Sequence, residues 1–265
     1  MIDTRTERLL VSEALVVPSG VTAGDITVEP TEARRVPGFV ESAFSPLVKA
    51  VIDRCLADVT GGAAFGDEGA RTGIVLATLG GDATTADLGS RLLASGQVAN
   101  PLLFFQSVPT TILGVIARDY GITGPTTCVA LRGDLRSEAL DLVDTILDDS
   151  MDQVLLLGID LAAEDRALSA QAELTDGGPH AGASQVDAAV AFFVRRADSA
   201  PESAEVSVAP VADERLAAFG SLAGLAQLYF TVRTRRAAAA SGTVAVDVGS
   251  ALGERRLHLH LGEPR

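Results

Sequence analysis

The sequence predicts an α/β layered fold, and three observations carry that reading. Short all-apolar runs, Gly73 to Thr78 and Val154 to Ile159, have the length and composition of strands buried on both faces of a sheet. Elsewhere apolar residues recur at helical spacing, most clearly Phe44, Leu47, Val48, Val51, Ile52 and Leu56. Strands and helices interleave along the chain, the order that lays helices over the faces of a sheet.

Taken from the start, Leu9 to Val17 is an apolar, β-branched run closed by Pro18-Ser19-Gly20, a strand ending in a turn. A loop with Pro30 and Pro37 leads to a helix over Phe39 to Val59, which Gly61-Gly62 stops. Gly73 to Thr78 is a strand, Gly80-Gly81 a turn, and Thr84 to Ser95 a helix. After Asn100-Pro101 come a helix at Val108 to Tyr120, a strand at Thr126 to Leu131, an amphipathic helix at Leu135 to Leu147 and the strand Val154 to Ile159. The second half is less regular. A polar Gly-rich loop, Thr175 to Ser184, precedes strands at Ala188 to Val194 and Val206 to Val208 and a long helix at Leu216 to Arg236. Thr243 to Val248 and Arg256 to Leu261 form a closing antiparallel hairpin, with Leu257, Leu259 and Leu261 on one face.

Composition narrows the function. The 265 residues, 47% of them hydrophobic, suffice for one large core. With 35 acidic against 21 basic residues the formal charge is -14, which repels a polyphosphate partner and argues against nucleic acid. Apolar runs such as Leu102 to Phe105 are far shorter than a bilayer span, and Met1 to Leu10 is too charged for a signal peptide, so the expectation is a cytoplasmic protein without membrane attachment. Two cysteines, Cys55 and Cys128, supply no disulfide framework, and their apolar surroundings predict buried free thiols.

Several segments resemble the β-ketoacyl synthases. Asn100-Pro101-Leu102-Leu103-Phe104-Phe105-Gln106-Ser107-Val108-Pro109, followed by Gly121-Ile122-Thr123-Gly124-Pro125, is similar to that family's P-x-x-F-x-x-S-V-x-N and G-L-x-G-P. Asp152 to Asp160 resembles its A-D-x-x-L-x-G-G-x-D, and GIVLATLGG its second strand and Gly-rich turn. Ala188 to Ala200 resembles the strand after its G-E-G. Gly220-Ser221-Leu222-Ala223-Gly224 resembles G-H-x-x-G-A-A-G, and Val248 to Gly253 the last turn, S-F-G-F-G-G. The resemblance covers most of the chain and implies a thiolase-like α/β/α/β/α fold truncated in its C-terminal half. Residues 1–200 then form the ketosynthase-like half and 201–265 a shortened remnant packed on it.

Decarboxylative condensation needs a thiolate at a sharp strand-to-helix turn and two histidines that stabilise developing negative charge. In the family the cysteine lies eight residues beyond the Gly-Pro pair; counted from Pro125, that position is Gly133. Cys128 comes five residues too early, inside the strand, where alternation makes it a core position. The H-G-T-G-T segment does not occur, and the second histidine position falls at about Ala218. Of the three histidines present, His258 and His260 share a strand face and read as solvated rather than ligating, and His180 sits in the Gly-rich loop. No G-x-S-x-G elbow marks a serine nucleophile, and Gly80-Gly81 lacks the third glycine, lysine and acidic ligand of a nucleotide loop.

A ketosynthase pattern without its nucleophile resembles the chain-length factors. The resemblance implies a non-catalytic subunit that heterodimerises with an active ketosynthase and shapes the acyl pocket in type II polyketide, polyene or fatty-acid-like synthesis. It implies no cofactor and no metal. The acyl carrier protein is then met mainly through the partner, although Arg233, Arg235 and Arg236 lie close enough in sequence to form a local basic patch. Phe104, Phe105, Val108, Thr111 and Ile112 are the acyl-pocket or interface candidates, with Phe105, Val108 and Ile112 sharing one face of a helix that begins early. The core is the competing place for Phe104 and Phe105. Thr126, Thr127, Cys128, Val129, Ala130 and Leu131 are the candidates for strand pairing across the dimer. Two other readings remain: a thiolase-fold acyl-transfer enzyme with an unrecognised site, and a scaffold that only stabilises its partner.

Overall fold

Residues 6–97, 100–130, 135–162, 183–197, 205–208, 213–238, 242–250 and 253–261 are described by a computed structural model. The strands are β1 (Thr6–Val16), β2 (Val21–Ala23), β3 (Ile26–Val28), β4 (Thr72–Thr78), β5 (Thr126–Ala130), β6 (Gln153–Asp160), β7 (Ala188–Arg196), β8 (Glu205–Val208), β9 (Thr243–Ser250) and β10 (Gly253–Leu261). The helices are α1 (Phe44–Thr60), α2 (Ala83–Ala94), α3 (Pro101–Ser107), α4 (Pro109–Tyr120), α5 (Leu135–Asp149) and α6 (Ala223–Ala237). Tighter 3-10 segments cover Gly66–Arg71 and Glu214–Leu222.

Apart from the small β2–β3 hairpin, every strand joins one sheet in the order β5-β4-β6-β7-β1-β10-β9-β8. β4 runs parallel to β5 and β6, β7 is antiparallel to β6 and β1, and β1 is parallel to β10. The first strand therefore sits in the middle of the sheet, with the closing hairpin on one side of it. On one face α1 and α4 cover Ile74, Leu76, Leu155, Leu157 and Phe193. On the other, α5 and α6 cover Val75, Val154, Leu156, Phe192, Val244 and Val246. Helix α5 packs on β4 and β6 and again on β9, four strands further along, so the sheet curls around it. Among the described residues the layers run helix, sheet, helix, sheet. Gly158 permits the inner contact, since a Cβ there would lie 2.4 Å from Leu225 Cδ1 on α6.

Four sequence expectations change. Helix α1 begins at Phe44 rather than Phe39, because Ser42 Oγ accepts the Ser45 N–H at 2.9 Å and sets the first turn. The stretch Asn100 to Tyr120 holds two helices bent by 75°. Val108, ahead of Pro109, is extended (φ -84°, ψ 111°), as the proline ring requires, so Phe105 and Ile112 do not share a helical face. The expected helix at Leu216 to Arg236 is a 3-10 segment followed by α6, broken at Gly220 (φ 52°, ψ -122°). A Cβ at Gly220 would lie 2.4 Å from the Ala183 carbonyl oxygen, so only glycine fits.

The fourth concerns the histidines, which are buried rather than solvated: His258 is 3% and His260 4% exposed. β10 is an inner strand, so each ring is flanked on both sides, His258 by Glu7 and Ala245 and His260 by Leu9 and Thr243. His260 Nδ1 lies 2.8 Å from Thr243 Oγ1 and Nε2 lies 2.5 Å from Glu7 Oε2, so the ring ties β9, β10 and β1 together. Among the described residues no single helix is long and apolar enough to cross a membrane.

β1 carries a bulge at Val11, where its register with β7 shifts between Leu10 and Ser12. Arg236 on α6 donates to the Leu10 and Val11 carbonyls, both at 3.0 Å, and its Nε lies 3.1 Å from the buried Glu13 carboxylate. Arg233 reaches the same carboxylate at 3.9 Å. Two of the three arginines read as a basic patch thus face β1. Burial pushes the Glu13 carboxyl above its ordinary value of 4.5, with Arg236 and Arg233 pulling it back only in part. A raised carboxyl contributes stability below its unfolded value and loses it as pH rises through the folded value. We expect thermal melts from pH 4 to pH 7 to show wild type losing stability relative to Glu13→Gln as pH rises; a wild-type advantage that grows with pH would contradict this.

Candidate functional site

The carboxyl ends of β4 and β6, where open α/β sheets place their sites, meet at Asp160. This residue is 4% exposed. Its Oδ1 accepts the Thr78 hydroxyl at 3.0 Å, the Leu79 N–H at 2.9 Å and the Gly80 N–H at 3.3 Å. Its Oδ2 accepts the Ser221 hydroxyl. Burial pushes the Asp160 carboxyl up, against the Leu79, Gly80 and Thr78 donors. The Gly80-Gly81 turn is therefore held by side chains of the protein itself: Asp160 takes two of its amides, and Thr78 Oγ1 accepts the Gly81 N–H at 3.0 Å.

Sequence reasoning missed Ser221. Laid directly on G-H-x-x-G, the residues Gly220-Ser221-Leu222-Ala223-Gly224 put Ser221, and not Ala218, at the histidine. The signal was present in the motif itself. In the structure a hydroxyl bonded to a buried carboxylate stands there, a group whose donor is already spent.

Neither thiol is poised as a nucleophile. Cys55 is buried on α1 beside Ser12, and burial pushes its thiol up to about 12. Cys128 is half-buried on the edge strand β5 rather than buried in the core, and desolvation raises it too. Gly133, Leu131 and His180 lie outside the described residues.

The pocket candidates separate. Ile112 is fully buried against α1 and the sheet; Val108 and Thr111 are half-buried. Phe104 and Phe105 are 79% and 54% exposed, so they are not core. Leu102, Leu93 on α2 and Val40 are the other large hydrophobic side chains that stand exposed among the described residues. Phe39 meets Phe105 at a ring separation of 6.3 Å, and the Gln106 side chain accepts the Glu41 N–H at 3.1 Å, which fastens residues 39–41 to α3. Of the strand candidates, Thr126 to Ala130 form β5, an edge of the sheet among the described residues. Among those residues no group of three His, Cys, Asp or Glu side chains is placed to hold a metal ion.

No family model and no curated protein matches the sequence. Solved structures match the fold. The ishigamide ketosynthase/chain length factor superposes over 96% of this chain and 99% of its own, with a TM-score of 0.62 and 14% identity. The ketosynthase ApeO in complex with its chain length factor ApeC, from Xenorhabdus doucetiae, matches over 72% of this chain and 79% of its own (TM-score 0.53, 13% identity). A β-ketoacyl synthase from Burkholderia phymatum matches over 73% of this chain but 60% of its own (TM-score 0.52, 13% identity). The chain therefore has an α/β fold of the thiolase type. More narrowly, it has the fold that ketosynthases share with chain-length factors.

Raised thiols stay protonated at neutral pH and react slowly. With iodoacetamide at pH 7 we expect no rapid labelling of the native protein and labelling of both cysteines after unfolding; fast native modification of Cys128 would contradict the protonated state.

Proposed function

We propose that this chain is a non-catalytic ketosynthase-like subunit, a chain-length factor. In this reading it heterodimerises with an active β-ketoacyl-carrier-protein synthase and shapes the acyl pocket in type II polyketide, polyene or fatty-acid-like synthesis. One observation carries the proposal: the ketosynthase fold is kept while both cysteines lie away from the nucleophile position, at Cys55 in the core and Cys128 within β5. The histidine position at Ser221 supports it, since a hydroxyl engaged with Asp160 cannot stabilise an enolate as an imidazole does. The open edge of β5 supports strand pairing with a partner, a geometry that a two-fold between like folds allows.

The pocket assignment narrows under this proposal. Ile112 serves its own core, which leaves Phe104 and Phe105 as the bulky groups able to reach a pocket in the partner, with Val108 and Thr111 half-buried. The acidic carrier protein is steered by the partner, because a charge of -14 repels it over the mean surface of this chain. A boundary near residue 200 and a cytoplasmic location belong to the same proposal.

Purified alone and given acyl- and malonyl-carrier proteins, the chain should yield no condensation product; an acyl-enzyme on Cys128 would overturn the proposal. Co-expressed with the ketosynthase encoded nearest to it, Phe105→Ala should lengthen the product, because each methylene buried in the space released gains about 0.8 kcal/mol. Mass spectra showing unchanged lengths from an active complex would remove Phe105 from the pocket wall.

A further inference from the structure

β10 accompanies β1 only as far as Leu10, which pairs with Leu261, whereas β1 runs on to Val16 against β7. Over Val11 to Val16 one edge of this central strand therefore has no strand beside it among the described residues. Solvent reaches that edge. The Glu13 side chain is 3% exposed while the residue as a whole is only partly buried, so the backbone is what water touches.

Arginines from both faces of the sheet meet at this edge. From α6, Arg236 holds the Leu10 and Val11 carbonyls, and Arg233, whose side chain is 60% exposed, lies 3.9 Å from the Glu13 carboxylate. From α1, the exposed Arg54 reaches the Leu15 carbonyl at 3.5 Å and the Thr31 hydroxyl at 3.0 Å. Glu13 and Leu15 are two residues apart on one strand, a span of about 7 Å. Tyr229 stands one turn before Arg233 on the same face of α6. Burial pushes its hydroxyl up, Arg233 and Arg54 pull it down and Glu13 adds to the rise, so groups from α1, α6 and β1 all act on it.

Arg236 and Glu13 offset each other, which leaves Arg54 and Arg233 as two cations. No ion pair joins Arg54 to a carboxylate among the described residues, Asp58 one turn further along α1 included. The formal charge of -14 does not cancel them, since at physiological ionic strength charges more than about 8 Å away are largely screened. Guanidinium groups match the geometry of phosphate, and two of them beside a hydroxyl suit a dianion better than a single carboxylate.

We propose that Arg54, Arg233 and Tyr229 form a binding site for a phosphate dianion at the open edge of β1, between α1 and α6. The site needs neither a partner subunit nor an acyl chain, so it stands apart from the proposed function. Its two halves come from helices on opposite faces of the sheet, and the basic patch read from the sequence marked only the α6 half.

The test is titration calorimetry of the full chain with inorganic phosphate, and in parallel with methyl phosphate and acetate. We expect saturable one-site binding of phosphate by wild type, weakened about tenfold in Arg233→Ala by the loss of one charge-assisted contact, and weakened less in Tyr229→Phe. Circular dichroism melts of Arg233→Ala should match wild type, since that side chain is mostly in solvent. Arg91→Ala removes an equal charge from an exposed ion pair on α2 and should leave the constant unchanged. Methyl phosphate binding as tightly as phosphate assigns the site to a phosphorylated small molecule, and weaker binding assigns it to the free ion; both support the site. No saturable phosphate binding, acetate bound equally well, an unchanged constant in Arg233→Ala, or the same weakening in Arg91→Ala overturns it. None of these results touches the proposed function, which rests on a complex that this experiment does not contain.

Discussion

The place of β1 in the middle of the sheet is the constraint on which the rest of the molecule depends. Its backbone pairs with β7 on one side and β10 on the other, so residues from the two ends of the chain share one ladder. A strand buried on both faces must satisfy every backbone group within the protein. Where the bulge at Val11 breaks that pattern, Arg236 supplies the missing donors, and the buried Glu13 offsets its charge. At the start of the strand, Arg8 reaches Asp144 at 2.8 Å and ties β1 to α5. Polar side chains thus pin β1 to both helices of the inner layer, and the curl of the sheet follows from the need to cover those helices on both sides.

What was legible in the sequence is what a single segment determines. β4 and β6 were readable because a strand covered on both faces is apolar throughout, and α1 because one stripe faces the core. The hairpin of β9 and β10 was readable from alternation. Tertiary context hid the rest. His258 and His260 alternate with leucines as a solvated face would, and only the flanking strands make that face an interior one. Pro109 announced the break at Val108, yet the apolar spacing of Phe105, Val108 and Ile112 favoured one helix; the backbone restriction outweighs the pattern.

The site shows the same division. The position at which the resemblance expects a nucleophile, Gly133, could be counted from Pro125, because it depends only on spacing along the chain; it lies outside the described residues. Asp160 was marked as the end of a motif, whereas its four donors come from β4, the turn after it and the 3-10 segment at Glu214–Leu222, which no local pattern joins. Exposure of Phe104 is likewise a property of the assembled helices. A reading by composition places phenylalanine inside, and here a run of apolar residues long enough to build two helices leaves one of them with a face that its own core does not use.

Under the proposed reading the chain carries no chemistry of its own and functions only within an assembly, so stoichiometry tests the account most directly. Native mass spectrometry of this chain co-expressed with the ketosynthase encoded nearest to it should show one copy of each subunit in a single complex. A ketosynthase found only as its own dimer, with this chain separate and unbound, would contradict the account.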